Sequence, residues 1–255
     1  MRFFTKRLDT ELMAESFRSG APFPHIVLDD FLDADALRVL AAAFPKVEER
    51  QWWQYDNQLE MKFAFNDVSQ LDSSFADFFR EANSPEVITQ LERLTGLKGI
   101  IPDPGLNGGG LHQIKRGGKL DVHEDYNIHK GLSAFRKVNL IAYLNESWEE
   151  SYGGHLQLWD AAMSRCERSV LPVFNRVVIF RTDMKSNHGH PEPLTCPEDR
   201  ARRSLAVYYY VPMTEAEQVE YTSTQFKKRP TDPDDPQVDE LRTRRNKGRL
   251  ADKKT

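Results

Sequence analysis

The stretch "KLDVHEDYNIHKG", residues 119–131, concentrates imidazole and carboxylate side chains in an otherwise ordinary sequence. Within it lie His123, Glu124, Asp125 and His129. Such groups are costly to bury unless they are paired or bind a metal. On a β-strand, His123 and Asp125 point to one face and Glu124 to the other. This pair would supply two ligands to a divalent cation. An exposed hydrogen bond between the histidine and the aspartate gives the same H-x-D pattern. A metal site therefore needs a third ligand from elsewhere in the chain.

The best source of a third ligand is "SNHGHPEPL", residues 186–194, which lies between the apolar runs "RVVIF" and "RRSLAVYYY". Either His188 or His190 would complete a set of two histidines and one carboxylate, which is the facial triad of non-haem Fe(II) oxygenases. Hydrolytic zinc sites can use the same set. The ligands alone therefore leave the metal open.

Composition places the chain among ordinary soluble proteins. Its 255 residues, 39% of them hydrophobic, suffice for a sizeable core. The 35 basic and 39 acidic residues give no electrostatic footprint for nucleic acid or a membrane surface. No apolar run approaches the roughly 20 residues of a membrane span, and the start lacks a signal-peptide apolar segment. With only Cys166 and Cys196 present, we expect a cytoplasmic protein with free thiols.

Helical and β-rich patterns divide the chain unevenly. Before about residue 97 we predict helices and a short strand, including a helix that Ser84 opens ahead of Pro85. From 97 to 226, short β-rich runs alternate with Gly, Pro, Asn and Asp clusters, as is typical of a double-sheet jelly roll. The predicted fold class is α+β: a double-stranded β-helix (jelly-roll) core at 97–226, braced by an N-terminal helical and strand support at 1–96 of the same domain.

The last segment, residues 227–255, has a different composition. It carries ten basic and six acidic residues, with several prolines and almost nothing to bury. A segment of this kind cannot offset its own ordering entropy. We therefore predict a charged, disordered tail that contributes little to stability.

A series of motifs in a fixed order makes the sequence more specific. They are "GGKLDVHED", "KVNLIAYLNESW", "YGGHLQLWD", "NHGHPEPL" and "RRSLAVYY". From about Gly108 to Val211 the chain resembles the prolyl 4-hydroxylase-like branch of the Fe(II)/2-oxoglutarate-dependent oxygenases. Members of that family carry H-x-D, then a distal histidine, then a basic residue that starts an R-x-S-like strand.

The resemblance implies that His123, Asp125 and His188 are the metal ligands and the catalytic centre. His188 is preferred to His190 for a positional reason. In the family, an apolar residue stands two positions after the ligand histidine, and His190 occupies that position if His188 is the ligand. The choice between the two histidines stays open at the level of sequence.

The same resemblance implies a pocket for the co-substrate. Arg202, in R-x-S with Ser204, would bind the distal carboxylate of 2-oxoglutarate, and Tyr143 would donate a hydrogen bond to the same group. The rigid, permanently charged fork of arginine suits such a carboxylate. A tyrosine that relatives carry before the first ligand is absent, since Gln113 stands there. Gln113 and Asn139 are therefore further candidates for this pocket.

The implied activity is that of a 2-oxoglutarate-dependent dioxygenase. Such an enzyme uses Fe(II), 2-oxoglutarate and O2, with ascorbate in a supportive role, to hydroxylate an unactivated C–H bond and release succinate and CO2. The substrate would be a small molecule or a peptide, and the sequence does not distinguish them; it also leaves the oligomeric state open. Two alternatives are a metal-dependent hydrolase with the same ligands and a non-catalytic β-sandwich binding module. A halogenase is disfavoured because Asp125 occupies the position where halogenases have Gly or Ala.

Two other stretches of the sequence can each be interpreted either as contacting substrate or as structural. "WWQYDN", residues 52–57, could face substrate as a lid or pack on the core as a linker. Asn127 and His129, beyond the ligand motif, could meet substrate or lie in solvent.

Overall fold

One curled antiparallel sheet organises the protein in the computed structural model, which describes residues 1–214 and 219–248. The fourteen strands are β1 His25–Leu28, β2 Trp53–Asn57, β3 Glu60–Phe65, β4 Ile101–Pro102, β5 Gly110–Lys115, β6 Leu120–Glu124, β7 Ile128–His129, β8 Ala134–Tyr143, β9 Leu156–Trp159, β10 Cys166–Val170, β11 Val177–Arg181, β12 His188–His190, β13 Ala201–Pro212 and β14 Gln225–Phe226. The helices of the described residues are α1 Glu11–Arg18, α2 Ala34–Ala42, α3 Ser73–Ala82, α4 Pro85–Thr95 and α5 Pro236–Asn246.

The sheet has two parts that meet at a narrow junction. The larger part has the strand order β1-β11-β8-β13-β5-β3, and the smaller part continues as β6-β12-β9-β10. Strands β3 and β6 share one registered pair, Glu60 opposite Leu120. This curled, antiparallel arrangement is that of a jelly roll and confirms the predicted fold class.

Local sequence explains the helices that brace the larger part. Helix α4 begins after Ser84, whose hydroxyl accepts a hydrogen bond from the Val87 backbone N–H, with Pro85 at a first-turn position. It ends at Gly96, where a φ of 75° suits glycine in the left-handed region. Helices α1, α2 and α3 likewise begin at capping Thr or Asp side chains.

Alternation along β13 separates the core from the cavity. Leu205, Val207 and Tyr209 face the helices and join a core cluster that contains Phe3, Phe78 and Leu91. The intervening residues Arg202, Ser204, Ala206 and Tyr208 line a cavity between the two parts of the sheet. One strand therefore contributes to stability with one face and to the cavity with the other.

The prediction of a disordered tail is wrong for residues 227–248. Strand β14 pairs with β6, with Phe226 opposite His123, and helix α5 follows. Polar contacts hold this segment: the Asn246 side chain accepts a hydrogen bond from the Phe226 N–H at 2.7 Å, and Arg245 pairs with the buried Glu60. A search for apolar patterns misses such an attachment because it depends on hydrogen bonds and charge. Residues 249–255, which the same prediction covered, lie outside the described residues.

Two composition-based expectations can be compared with the structure. Among the helices of the described residues, none is long and apolar enough to cross a bilayer. Cys166 and Cys196 are both free, as predicted.

Candidate active site

Strands β6 and β12 bring a metal-binding set together. They pair with His188 directly opposite His123, and the two imidazole rings lie 4.5 Å apart. The Asp125 carboxylate lies between them, with Oδ1 3.6 Å from His123 Nε2 and Oδ2 3.6 Å from His188 Nε2. The potential ligand atoms of these three residues all lie within 4.8 Å of one another.

The backbone fixes both imidazoles in the orientation that a cation needs. His123 Nδ1 donates to the Asp121 carbonyl at 2.9 Å, and His188 Nδ1 donates to the Ser186 carbonyl at 2.7 Å. A carbonyl can only accept, so each ring keeps the proton on Nδ1 and directs the lone pair of Nε2 towards Asp125. Two nitrogens and one carboxylate oxygen then converge, which fits Fe(II) in a facial triad.

The protonation states also suit a cation. Burial lowers the pKa of His188 to about 4, which keeps this ring neutral at pH 7. Burial by itself would raise the pKa of Asp125, but the Arg136 guanidinium outweighs it and holds that pKa well below its usual value. Asp125 and His188 are therefore already in the protonation states that bind a metal.

Two further side chains of β8 fix Asp125. Arg136 Nη2 lies 3.0 Å from Asp125 Oδ2, and Asn139 Nδ2 donates to the same oxygen at 3.0 Å. Arg136 also donates to Asn139 Oδ1 at 2.8 Å, and its guanidinium carbon lies 3.5 Å from the centre of the Tyr208 ring. Asn139, a candidate for the co-substrate pocket, lines the cavity but is bonded to the metal-binding carboxylate.

Arg136 is a functional residue that sequence reasoning missed. Strict alternation along β8 would place it on the face opposite Asn139. The pairing with β13 is irregular, however: Tyr209 lies opposite Val138 and Tyr210 opposite Arg136, so Lys137 has no registered partner. This one-residue irregularity turns Arg136 onto the cavity face. The available signal was a charged residue inside the strand, but the neighbouring Lys137 shares it, so it could not single out Arg136.

The cavity contains a buried arginine beyond the metal-binding set. Arg202 Nε donates to the Gly154 carbonyl at 2.8 Å, and Nη2 donates to the Tyr143 hydroxyl at 3.2 Å. Arg202 is 4% exposed, and burial lowers its pKa. Within residues 1–214 and 219–248, no carboxylate forms an ion pair with it. A buried cation without a carboxylate partner, next to the cavity-lining Ser204, suits a carboxylate ligand.

Gln113 does not belong to the co-substrate pocket. Its neighbours His112 and Ile114 line the cavity, whereas its own side chain accepts a hydrogen bond from Arg203 Nε at 3.2 Å. Successive residues of β5 face opposite sides of the sheet. The proposal of Gln113 as a ligand of the co-substrate is therefore wrong, because the side chain points to the other face.

His190 lies in the cavity but outside the metal-binding cluster. The group of potential ligands found in the described residues contains His188 and not His190. The His190 ring is buried, and its Nδ1 has no hydrogen-bond partner among those residues. Burial lowers the pKa of His190 well below its usual value. The geometry thus favours His188 as the ligand.

The remaining sequence candidates separate into two groups. Trp52 is buried in the helical core, whereas Tyr55, three residues later on β2, lines the cavity. Asn127 bonds the backbone of Glu220 and Thr222. His129 Nε2 lies 3.3 Å from Asp103 Oδ2. Neither Asn127 nor His129 is among the residues that line the cavity.

Known proteins share this fold. A prolyl-4-hydroxylase from Pseudomonas putida aligns with a TM-score of 0.53 and 21% identity, covering 79% of this chain and all of that one. A prolyl hydroxylase from Trichoplax adhaerens, solved with a peptide fragment of a hypoxia inducible factor, aligns with a TM-score of 0.58 and 16% identity, covering 78% of this chain and 87% of that chain.

A curated sequence relative is the mouse prolyl 3-hydroxylase OGFOD1, which is 31% identical over 81 residues. That alignment covers 30% of this chain and 14% of the mouse protein, so the similarity is confined to a short part of the relative. The family model of the 2OG-Fe(II) oxygenase superfamily matches residues 109–210.

A jelly roll in which His123, Asp125 and His188 converge is the type of site that non-haem iron oxygenases use. Residues 109–210 match the model of the 2OG-Fe(II) oxygenase superfamily, and the fold is shared with the two solved prolyl hydroxylases. The predicted resemblance to the 2-oxoglutarate-dependent dioxygenases is confirmed.

Proposed function

We propose that the protein hydroxylates an unactivated C–H bond and converts 2-oxoglutarate to succinate and CO2. The observation that carries the proposal is one cavity lined by both the His123–Asp125–His188 set and the buried Arg202. A metal site alone would serve several reactions. A metal site that shares its cavity with a buried arginine lacking a carboxylate partner specifically suits a dicarboxylate co-substrate.

Each residue has a defined part in this proposal. His123, Asp125 and His188 would hold Fe(II), which supplies the oxygen-activating chemistry when bound. Arg202 and Ser204 would bind the distal carboxylate of 2-oxoglutarate, and Tyr143 would orient the Arg202 guanidinium through its hydroxyl. The apolar side chains of Ile141 and Leu156 would exclude water beside the co-substrate.

A hydrolase with the same ligands is the second candidate, because hydrolytic zinc sites can also use two histidines and one carboxylate. A hydrolase has no use for Arg202, whose burial is costly without an anion. The two candidates therefore differ in whether a dicarboxylate binds beside the metal.

Anaerobic titration of the Fe(II) protein with 2-oxoglutarate tests the proposal. Binding of the keto acid to the metal should produce a metal-to-ligand charge-transfer band, and admission of O2 should then yield succinate. Zn(II) protein, which gives no such band, serves as the control. Absence of both the band and succinate would contradict the proposal and favour the hydrolase.

A further inference from the structure

His190 is a buried side chain of the cavity wall that the proposed metal site does not use. Its ring is 3% exposed, and its Nδ1 is enclosed without a hydrogen-bond partner among the described residues. The rings of His123 and His188, in contrast, each donate from Nδ1 to a backbone carbonyl. Burying a polar group costs free energy unless it is hydrogen-bonded. An unpartnered ring in the cavity wall therefore suits a bound molecule that supplies the partner.

His190 lies between the metal ligand His188 and the surroundings of Arg202. It follows His188 by two residues on β12, and the chain then continues to Leu194. Leu194 and Arg202 both lie beside Gly154, since a Cβ added there would be 2.6 Å from Leu194 Cδ2 and 3.0 Å from Arg202 Cδ. Burial and, after it, the charge of Arg202 lower the pKa of His190. A molecule that reaches from the metal to Arg202 would therefore pass this ring.

The co-substrate of the proposed reaction fits this path, because 2-oxoglutarate would extend from the metal to Arg202. Arg202 already uses Nε on the Gly154 carbonyl and Nη2 on the Tyr143 hydroxyl, so only part of its donor set is left for the distal carboxylate. An ionised carboxylate offers about four lone-pair sites. An imidazole carries at least one N–H in either protonation state, so His190 can supply a further donor.

We propose that His190 binds 2-oxoglutarate by donating a ring N–H to the distal carboxylate held by Arg202. The hydrogen bond would satisfy the buried ring, and the carboxylate would be held from β12 as well as from β13. Hydrogen bonds to an ionised acceptor are stronger than those between neutral groups, so the contact should contribute to affinity. This inference rests on the proposed function, since it adds a residue to the same co-substrate site.

Anaerobic titration of the full-length Fe(II) protein with 2-oxoglutarate, followed by the charge-transfer band, tests the inference without turnover. His190→Leu removes the donor and should weaken 2-oxoglutarate about tenfold or more, as is typical for a lost hydrogen bond to a charged group. Its iron content should equal that of the wild type, because His190 lies outside the ligand cluster. Wild-type affinity in His190→Leu would overturn the inference.

Two amide variants test whether the N–H itself matters. His190→Asn and His190→Gln place an amide N–H near the positions of the two ring nitrogens. At least one of them should bind 2-oxoglutarate more tightly than His190→Leu does. If neither recovers any affinity, the effect of His190→Leu does not come from a lost donor, and the inference is wrong.

A second keto acid separates binding from a structural role. 2-Oxopentanoate has a methyl group in place of the distal carboxylate, so it cannot accept the proposed hydrogen bond. Wild type and His190→Leu should therefore bind 2-oxopentanoate with the same affinity. An equal loss of affinity for both keto acids would show that the substitution deforms the cavity, which would overturn the inference.

His25→Leu is the matched control. His25 is also buried, at 2% exposed, and its Nε2 also has no partner in the part of the chain that the structure describes. It lies on β1 and is not among the residues that line the cavity. The variant should bind 2-oxoglutarate as the wild type does. A loss equal to that of His190→Leu would assign the effect to removal of any buried histidine and not to a contact in the cavity.

The outcomes separate the two proposals. A wild-type protein that gives the charge-transfer band, together with undiminished affinity in His190→Leu, leaves the proposed function intact and rejects the role of His190. Absence of the band in the wild type rejects both.

Discussion

The Arg136 guanidinium lies 3.0 Å from Oδ2 of Asp125, with the arginine side chain 2% exposed and the aspartate side chain 10% exposed. Asn139 donates to the same oxygen, so Oδ2 is engaged by β8 and Oδ1 is left facing His123. This division of the two oxygens predicts that Asp125 binds a metal through Oδ1 alone. The second oxygen holds the carboxylate in place.

Arg136→Gln should weaken Fe(II) binding. Without the guanidinium, Asp125 loses its strongest orienting partner, and loss of such a partner typically costs about 10- to 100-fold in metal affinity. Arg136→Lys should recover part of the loss because it restores the charge without the fork. Anaerobic Fe(II) titration provides the measurement. Lys137→Gln is the control, since Lys137 bonds Asp183 instead, and equal affinities in all variants would contradict the assignment.

Replacement of His188 and replacement of His190 should have opposite effects on Fe(II) binding. His188→Ala removes one of three converging ligands and should abolish stoichiometric Fe(II) binding, as should His123→Ala and Asp125→Ala. His190→Ala should keep the metal, because that ring lies outside the ligand cluster. Metal content after anaerobic loading and desalting decides between them. Loss of iron in His190→Ala with retention in His188→Ala would reverse the choice.

Arg202→Ala should weaken 2-oxoglutarate binding far more than Fe(II) binding. Truncating one partner of a buried hydrogen-bonded charge pair typically costs about 2–5 kcal/mol. Tyr143→Phe removes one neutral hydrogen-bond partner of Arg202 and should cost about 1 kcal/mol. The charge-transfer band, titrated with 2-oxoglutarate in each variant, gives both values. An unchanged affinity in Arg202→Ala would shift attention to Arg200 or Arg203.

Deletion of residues 227–255 should destabilise the protein, contrary to the prediction from composition. The deletion leaves the buried Glu60 without Arg245, and breaking a buried pair typically costs about 3–5 kcal/mol. Lys62 remains as a partner and should bring the loss towards the lower value. Thermal unfolding of the deletion and of the full chain provides the comparison. Equal melting temperatures would show that α5 contributes nothing to the fold.

Acid should destabilise the metal-free protein partly through His112. Burial, assisted by Lys62, lowers the pKa of His112 to about 3 in the folded protein, against about 6.5 in the unfolded chain. The unfolded state therefore binds more protons, and stability contributed by neutral His112 is present above pH 6.5 and lost as pH falls towards 3.

His112→Gln should remove this part of the pH dependence, because the amide stays neutral. Between pH 7 and pH 5 the wild type should lose up to about 2 kcal/mol more than the variant. Urea unfolding in the presence of a chelator, at both pH values, measures the difference. An identical loss in both proteins would refute the role of His112.

The sequence identified the parts of the site that follow local rules. The H-x-D spacing is local, since His123 lies on β6 and Asp125 directly follows that strand, and "NHGHPEPL" supplied His188 through a motif. Arg136 escaped detection because a strand irregularity, invisible in the sequence, reversed its face. Gln113 was misplaced for the related reason that its register on β5 was unknown. The docking of α5 was missed because hydrogen bonds between distant residues leave no periodic pattern.

The pairing of Phe226 with His123 also bears on how the protein is made. The ribosome releases the ligand strand long before the segment that covers its outer edge, because these residues lie far apart in the chain. Contacts of such long range form late in folding. We therefore expect the metal site to acquire its final shape only once Phe226 has left the ribosome, so that a nascent chain ending before this residue does not retain iron.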